Sequence, residues 1–157
     1  MIEFKLTGVD QTLRLLQSLP PEIVSKRGGP VKAALAKGAR FLRDKAKTRL
    51  AAAIALRGDE STGLLLTSLI ATRGRPDPGV KGERYLVRIK RKIYPNRKGQ
   101  RVTTRQAGAH LEFGTEQQPA TPWLRPTVLE EGRPTIDLVI ADLSQRIARV
   151  IKKTGRR

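Results

Sequence analysis

His110 is the only histidine of the 157-residue chain, and Glu112 follows it by two positions. On a strand that spacing turns both side chains to one face, where an imidazole and a carboxylate could open a metal site or exchange a proton. A metal centre needs at least a third protein ligand, and no candidate lies nearby in sequence, so the pair is expected to hold no metal and to catalyse nothing. The adjacent carboxylates Asp59-Glu60 and Glu130-Glu131 diverge from one another in a loop or a helix, so neither can clamp two metals, and both read as solubilising charge. Gly63 and Gly74 belong to no glycine-rich run ending in Gly-Lys-Ser or Gly-Lys-Thr, which leaves nucleotide binding without a phosphate loop. There is no cysteine, so thiolate zinc sites, cysteine nucleophiles and disulfide frameworks are excluded together. No cofactor and no enzymatic activity are expected. A small nuclease or toxin is the third of three readings, and it requires metal-dependent cleavage that disappears when His110 or Glu112 becomes Ala.

The chemistry that is abundant is cationic. Thirty-two Lys and Arg stand against 14 Asp and Glu, a net charge of +18, and the resulting field attracts nucleic acid, anionic lipid or acidic protein. Ten of the cations fall between Lys81 and Arg105, with Glu83 as the single acid there. Arg88, Lys90 and Lys92 alternate along a strand pattern, and Arg97, Lys98 and Arg101 crowd a turn, so these six are expected to form a basic surface facing a partner or DNA. The six aromatic residues are too few for a platform that stacks single-stranded bases, since Phe4, Phe41 and Tyr85 fall on apolar faces. Duplex phosphates could still be held without sequence preference. A non-enzymatic basic nucleic-acid-binding protein is therefore the alternative to the reading reached below.

The elements that must position these groups follow from hydrophobic periodicity, and they predict a single α+β domain over 1–157. A small antiparallel sheet is expected to pack against a long central helix and a C-terminal helix, with a basic hairpin protruding. Ile2, Phe4 and Leu6 alternate as a short strand, and a helix over 11–18 ends at Pro20-Pro21. Pro30 then opens the long helix, whose stripe is Val31, Leu35, Ala39, Leu42, Ala46, Leu50 and Ile54. Its other face carries Lys32, Lys37, Arg40, Arg43, Lys45, Lys47 and Arg49, as a solvated face does. The apolar run over 63–70 fits helix or strand equally, and 73–82 reads as a connection. From Glu83 a strand puts Tyr85, Val87, Ile89 and Ile93 on one face.

The turn formers over 94–105 predict a hairpin that is mobile until something binds it. Pro119, Pro122 and Pro126 keep 117–126 extended. The last helix is expected to start near Pro134 and to bury Ile136, Val139, Ile140, Leu143, Ile147, Val150 and Ile151. Asp137 and Asp142 then lie near its start, and a basic end over 152–157 follows. The opening residues have neither the basic nor the apolar region of a signal peptide, and no run of about 20 apolar residues spans a membrane. An intracellular protein, or one packaged from inside a cell, is expected.

The most unusual local sequence is Leu111-Glu112-Phe113-Gly114-Thr115, followed by Pro122-Trp123-Leu124-Arg125-Pro126. As physics alone this fits a structural turn, with Gly114 taking a backbone angle other residues resist and Trp123 plugging the core. Together with Thr62-Gly63-x-Leu65 and Ser68, the segments resemble the ordered signatures of the HK97 gp10-like family of tailed-phage neck proteins. The likeness runs from the long basic helix through the last helix. It departs where Trp123 stands for the usual Phe, where Thr127 stands for the usual Ala, and where Gly132 and Pro134 fall in what is commonly a continuous helix.

What the resemblance implies is a structural virion protein of the neck, made in the host bacterial cytoplasm, that joins head to tail or completes the tail. Its partners would be itself, in a hexameric ring, and neighbouring neck, tail-terminator and tail-tube proteins, with non-specific contact to genomic DNA in the channel and no membrane. Closed rings need two complementary surfaces per subunit. Glu112, Phe113, Gly114, Thr115, Trp123 and Arg125 are the expected interface residues, with Arg125 reaching a carboxylate on the same or a neighbouring subunit, Glu112 first.

Overall fold

The computed structural model describes residues 29–58, 63–76, 78–79, 82–96 and 99–154. The expected strand over 2–6, the helix over 11–18, Thr62, Arg97, Lys98 and the last residues of the basic end lie outside the described residues. The architecture is α+β, with two long helices and two small antiparallel sheets.

Helix α1 spans Pro30–Leu56. Pro30 occupies its first turn, where a missing N–H removes no helical bond and a fixed φ suits the helix. The apolar run at 63–70 is both of its options in succession: a five-residue helix α2, Leu64–Ser68, and then strand β1, Leu69–Gly74. β1 pairs antiparallel with β2, Arg84–Ile89, in a register from Leu69↔Ile89 to Gly74↔Arg84. The strand thus extends into what looked like a connection.

The strand pattern predicted through Ile93 breaks after Ile89. Lys90 N–H turns to the Ser68 carbonyl at 2.7 Å, and Thr104 Oγ1 donates to the Lys90 carbonyl at 2.7 Å while accepting from Lys92 N–H at 3.0 Å. These bonds take the groups a ladder would have used. Ile93 instead opens β3, Ile93–Pro95, and is 53% exposed rather than sharing the inward face. β3 pairs with β4, Arg101–Thr103, from Ile93↔Thr103 to Pro95↔Arg101. The hairpin is therefore present, but Thr104 and Arg105 already belong to helix α3, Thr104–Phe113. A reciprocal cap starts that helix: Gln106 N–H donates to Thr103 Oγ1 at 3.2 Å, and Thr103 N–H donates to Gln106 Oε1 at 3.0 Å.

Helix α4 runs unbroken over Leu124–Thr154, 31 residues with Pro134 inside. The expected extended segment thus ends at Trp123, not Pro126, and the helix starts ten residues before Pro134. Pro126 falls in the first turn, whose N–H groups have no helical acceptor in any case, so it breaks nothing. Pro134 does forgo a bond to the Glu130 carbonyl. Packing across α1 carries the helix through this point: Thr135 and Val139 lie against Gly38, while Lys45–Glu131 at 3.2 Å and Lys37–Asp142 at 2.8 Å tie the two helices together. Asp137 and Asp142 accordingly sit in mid-helix, not near a start.

The core divides in two. One cluster joins Ala46, Leu50, Ala53 and Ile54 of α1 to Leu69, Leu111 and Trp123, with Val87 and Ile89 packed against it. The other joins Ala34 to Leu143 and Ile147, with Val31 and Val139 alongside. The buried stripe of α1 is rotated from the one expected: Ala34 and Gly38 take inner places, and Leu35, Ala39 and Leu42 are only half-buried. Small residues win there because α4 approaches too closely for Leu. No helix among the described residues is long and apolar enough to cross a membrane.

Candidate functional site

The unusual motifs converge on one junction, where the end of α3 meets the start of α4. Glu112 is 3% exposed. Its Oε2 accepts the N–H groups of Trp123 and Leu124, each at 2.8 Å, and its Oε1 accepts the N–H and the Nε–H of Arg125, each at 3.0 Å. Trp123 to Arg125 are the cap and first turn of α4, so a carboxylate from another helix does the work usually done by a local Ser or Asp cap. Negative charge is favoured there by the aligned peptide dipoles. Burial pushes the Glu112 carboxyl pKa up; the N–H groups of Leu124, Trp123 and Arg125 together with the Arg125 guanidinium outweigh this and hold it below the ordinary carboxylate value.

Trp123, 2% exposed, donates from Nε1 to the Gly108 carbonyl at 3.1 Å. A side chain at 108 would collide with Ile89, which is why the helix carries Gly where the indole and strand β2 close on it. Thr127 Oγ1 donates to the Trp123 carbonyl at 2.6 Å, and Thr121 N–H to the Leu111 carbonyl at 2.7 Å. Gly114 ends α3 at φ 75° and ψ −176°, a conformation essentially confined to glycine, and a Cβ there would lie 2.8 Å from Ala120 N and 2.9 Å from Gln118 O. Thr115 and Gln118 then exchange backbone bonds at 2.8 and 3.1 Å. Leu65 packs against the same cluster, and Ser68 is buried beside it.

The six residues expected at an interface therefore divide. Glu112 and Trp123 face inward and spend their polar groups inside the chain. Gly114 shapes the turn. Phe113 is 66% exposed, with the Arg125 guanidinium stacked 5.1 Å from its ring centre, and Thr115 is exposed. Leu129, 70% exposed, stands one helical turn beyond Arg125 and extends this outward strip. A helix starting near Pro134, as the periodicity suggests, would leave Leu129 outside it; the observed start at Leu124 brings it onto this strip.

Arg88, Lys90 and Lys92 are exposed as expected, and so are Arg91, Arg101 and Arg105. Of the three expected on one strand, Arg88 alone belongs to β2, while Lys90 and Lys92 sit on the bend pinned by Thr104. His110 and Glu112 do not share a face, because α3 is a helix and two positions turn by about 200°: Glu112 is buried and His110 exposed. Among the described residues no three of His, Cys, Asp and Glu gather as a metal site would need. His110 borders an open cleft of about 770 Å³ between α3 and the β3–β4 hairpin, with Asn96, Gln100, Gln106 and Gln118 on its walls. Glu116 and Tyr94 line the same cleft.

Compared with models of known protein families, with curated proteins and with solved structures, the chain matches none.

Proposed function

We propose that the chain is a structural subunit of a tailed-phage neck, a head-tail joining or tail-completion protein that closes into a ring and makes no chemical change. The observation that carries this reading is the convergence of the three resembling segments on one junction. Leu65 and Ser68 lie more than 40 residues before the stretch from Leu111 to Thr115, and the stretch from Pro122 to Pro126 follows that one after a short gap, yet all three meet at the seat of Trp123 and the Glu112 cap. A signature that holds one rigid corner is what a family would keep in order. The corner also shows outward a strip of Phe113, Arg125 and Leu129, the aromatic, guanidinium and aliphatic types that anchor protein interfaces.

The test is the size of the purified full chain by native mass spectrometry and electron microscopy, alongside rescue of a phage that lacks the gene. Closed rings, and heads that fail to acquire tails without the protein, are the expected results. A chain that stays monomeric at every concentration, or particles joined normally in its absence, would sink the proposal. Phe113→Ser and Leu129→Ser lie outside the core and are expected to weaken ring closure while leaving the melting temperature unchanged.

A further inference from the structure

Residues 84–111 contain no Asp or Glu, and within them the chain carries a set of closely spaced cations. Arg88, Lys90, Arg91, Lys92 and Arg101 are all exposed, and none of them pairs with an acid among the described residues. Like charges so close repel one another, so this cluster opposes folding unless it is solvated or occupied. The backbone beneath it is nevertheless tied down. The wholly buried Thr104 bonds the Lys90 carbonyl and Lys92 N–H through its hydroxyl, and its own N–H donates to the Lys92 carbonyl at 3.0 Å. Lys90 N–H is held by Ser68, and Arg105 Nε–H reaches the Ile89 carbonyl at 3.2 Å. A ridge whose main chain is already ordered loses little further entropy when it docks.

We propose that this ridge is a binding site for the phosphodiester backbone of duplex nucleic acid, gripped without sequence preference. The described part of a second copy offers it little, because among the described acids only Glu116 is left without an ion pair. An acidic protein fits poorly, because protein interfaces centre on apolar and aromatic side chains with little charge, and Ile93 is the single large hydrophobic side chain exposed beside these cations. Single strands would want aromatic faces for their bases, and Tyr94 is half-buried. Duplex phosphates ask only for cations in a row, and they release counterions on binding. The ridge goes beyond the ring reading and stands whether or not the chain forms rings.

The test is fluorescence anisotropy of the full chain with a labelled duplex of arbitrary sequence, titrated between about 50 and 200 mM salt. Three proteins are compared: wild type, K90Q/R91Q/K92Q, and a control of equal charge change on α1, K32Q/R40Q/K47Q. Thermal melts establish that all three are folded; the substitutions spare the backbone bonds to Thr104. The ridge variant is expected to lose at least about tenfold in affinity, with the salt slope falling by about 3, one for each phosphate contact removed. The control is expected to change by less than threefold at most, or roughly a third of the ridge effect. Equal losses in the two variants would show that net charge alone attracts DNA and would overturn the site. So would a wild-type chain that ignores duplex while taking up polyglutamate or phosphatidylserine vesicles through the same three residues. The size measurement that decides the ring is indifferent to either result.

Discussion

Glu112→Gln is the most exacting single perturbation of the α3–α4 junction, because it keeps the shape of the side chain and removes only the charge and half the acceptors. The carboxylate accepts four bonds, two at each oxygen. A carboxamide can serve one pair, and its NH₂ then faces two N–H donors with no lone pair to offer. Two stranded donors at about 1–3 kcal/mol each give a loss of about 2–6 kcal/mol. That is a large fraction of the roughly 5–15 kcal/mol that stabilises an ordinary domain.

Urea unfolding at neutral pH reads this loss directly as a shift in midpoint at unchanged slope. The acid limb supplies an independent check. The folded Glu112 titrates below the ordinary carboxylate value, so its contribution is fully present above the unfolded pKa of about 4.3 and disappears as pH falls through the folded one. The stability gap between wild type and Glu112→Gln is therefore expected to narrow as the solution is acidified below about pH 4. A gap under about 1 kcal/mol at neutral pH, or one that does not narrow in acid, would refute the idea that this carboxylate caps α4.

Three further predictions rest on other contacts. Gly114→Ala should cost about 1–3 kcal/mol or more in urea unfolding, because its Cβ meets fixed backbone. Gly99→Ala, at a similar φ of 73° but in open space, should cost only about 1 kcal/mol; equal losses would mean that crowding at 114 is immaterial. Gly38→Ala drives a Cβ into Val139 Cγ2, a stiff β-branched neighbour, and should destabilise by about 1–3 kcal/mol. Adding Val139→Ala should recover part of that loss in a double-mutant cycle, and strict additivity would show that the two helices do not meet there. Thr104→Val removes a buried hydroxyl with two bonds and should cost about 1–3 kcal/mol in thermal or urea unfolding. It should also weaken duplex binding although no cation is lost, and unchanged affinity would show that the pinned backbone is irrelevant to the ridge.

Several features were legible in the sequence because they depend on neighbours a few positions away. Pro30 and the apolar residues that follow at helical spacing identify α1, and the alternation of Tyr85, Val87 and Ile89 identifies β2. Gly114 invites a positive φ, a lone Trp flanked by prolines invites burial, and Glu112 is the first carboxylate the motif offers to Arg125; the first two are local steric or chemical preferences.

Other features were decided by groups far apart in the chain. The strand through Ile93 fails because Thr104, 14 residues from Lys90, takes its backbone oxygen. Helix α3 announces itself only by Thr103 and Gln106, and without it His110 and Glu112 look like partners on one face. Helix α4 passes Pro134 because α1 presents Gly38 to Val139, and it begins at Leu124 because Glu112 comes from another helix to cap it. Hydrophobic periodicity records which face of a segment is apolar; it carries no record of which distant side chain will satisfy a backbone N–H, and those bonds set where these elements start and stop.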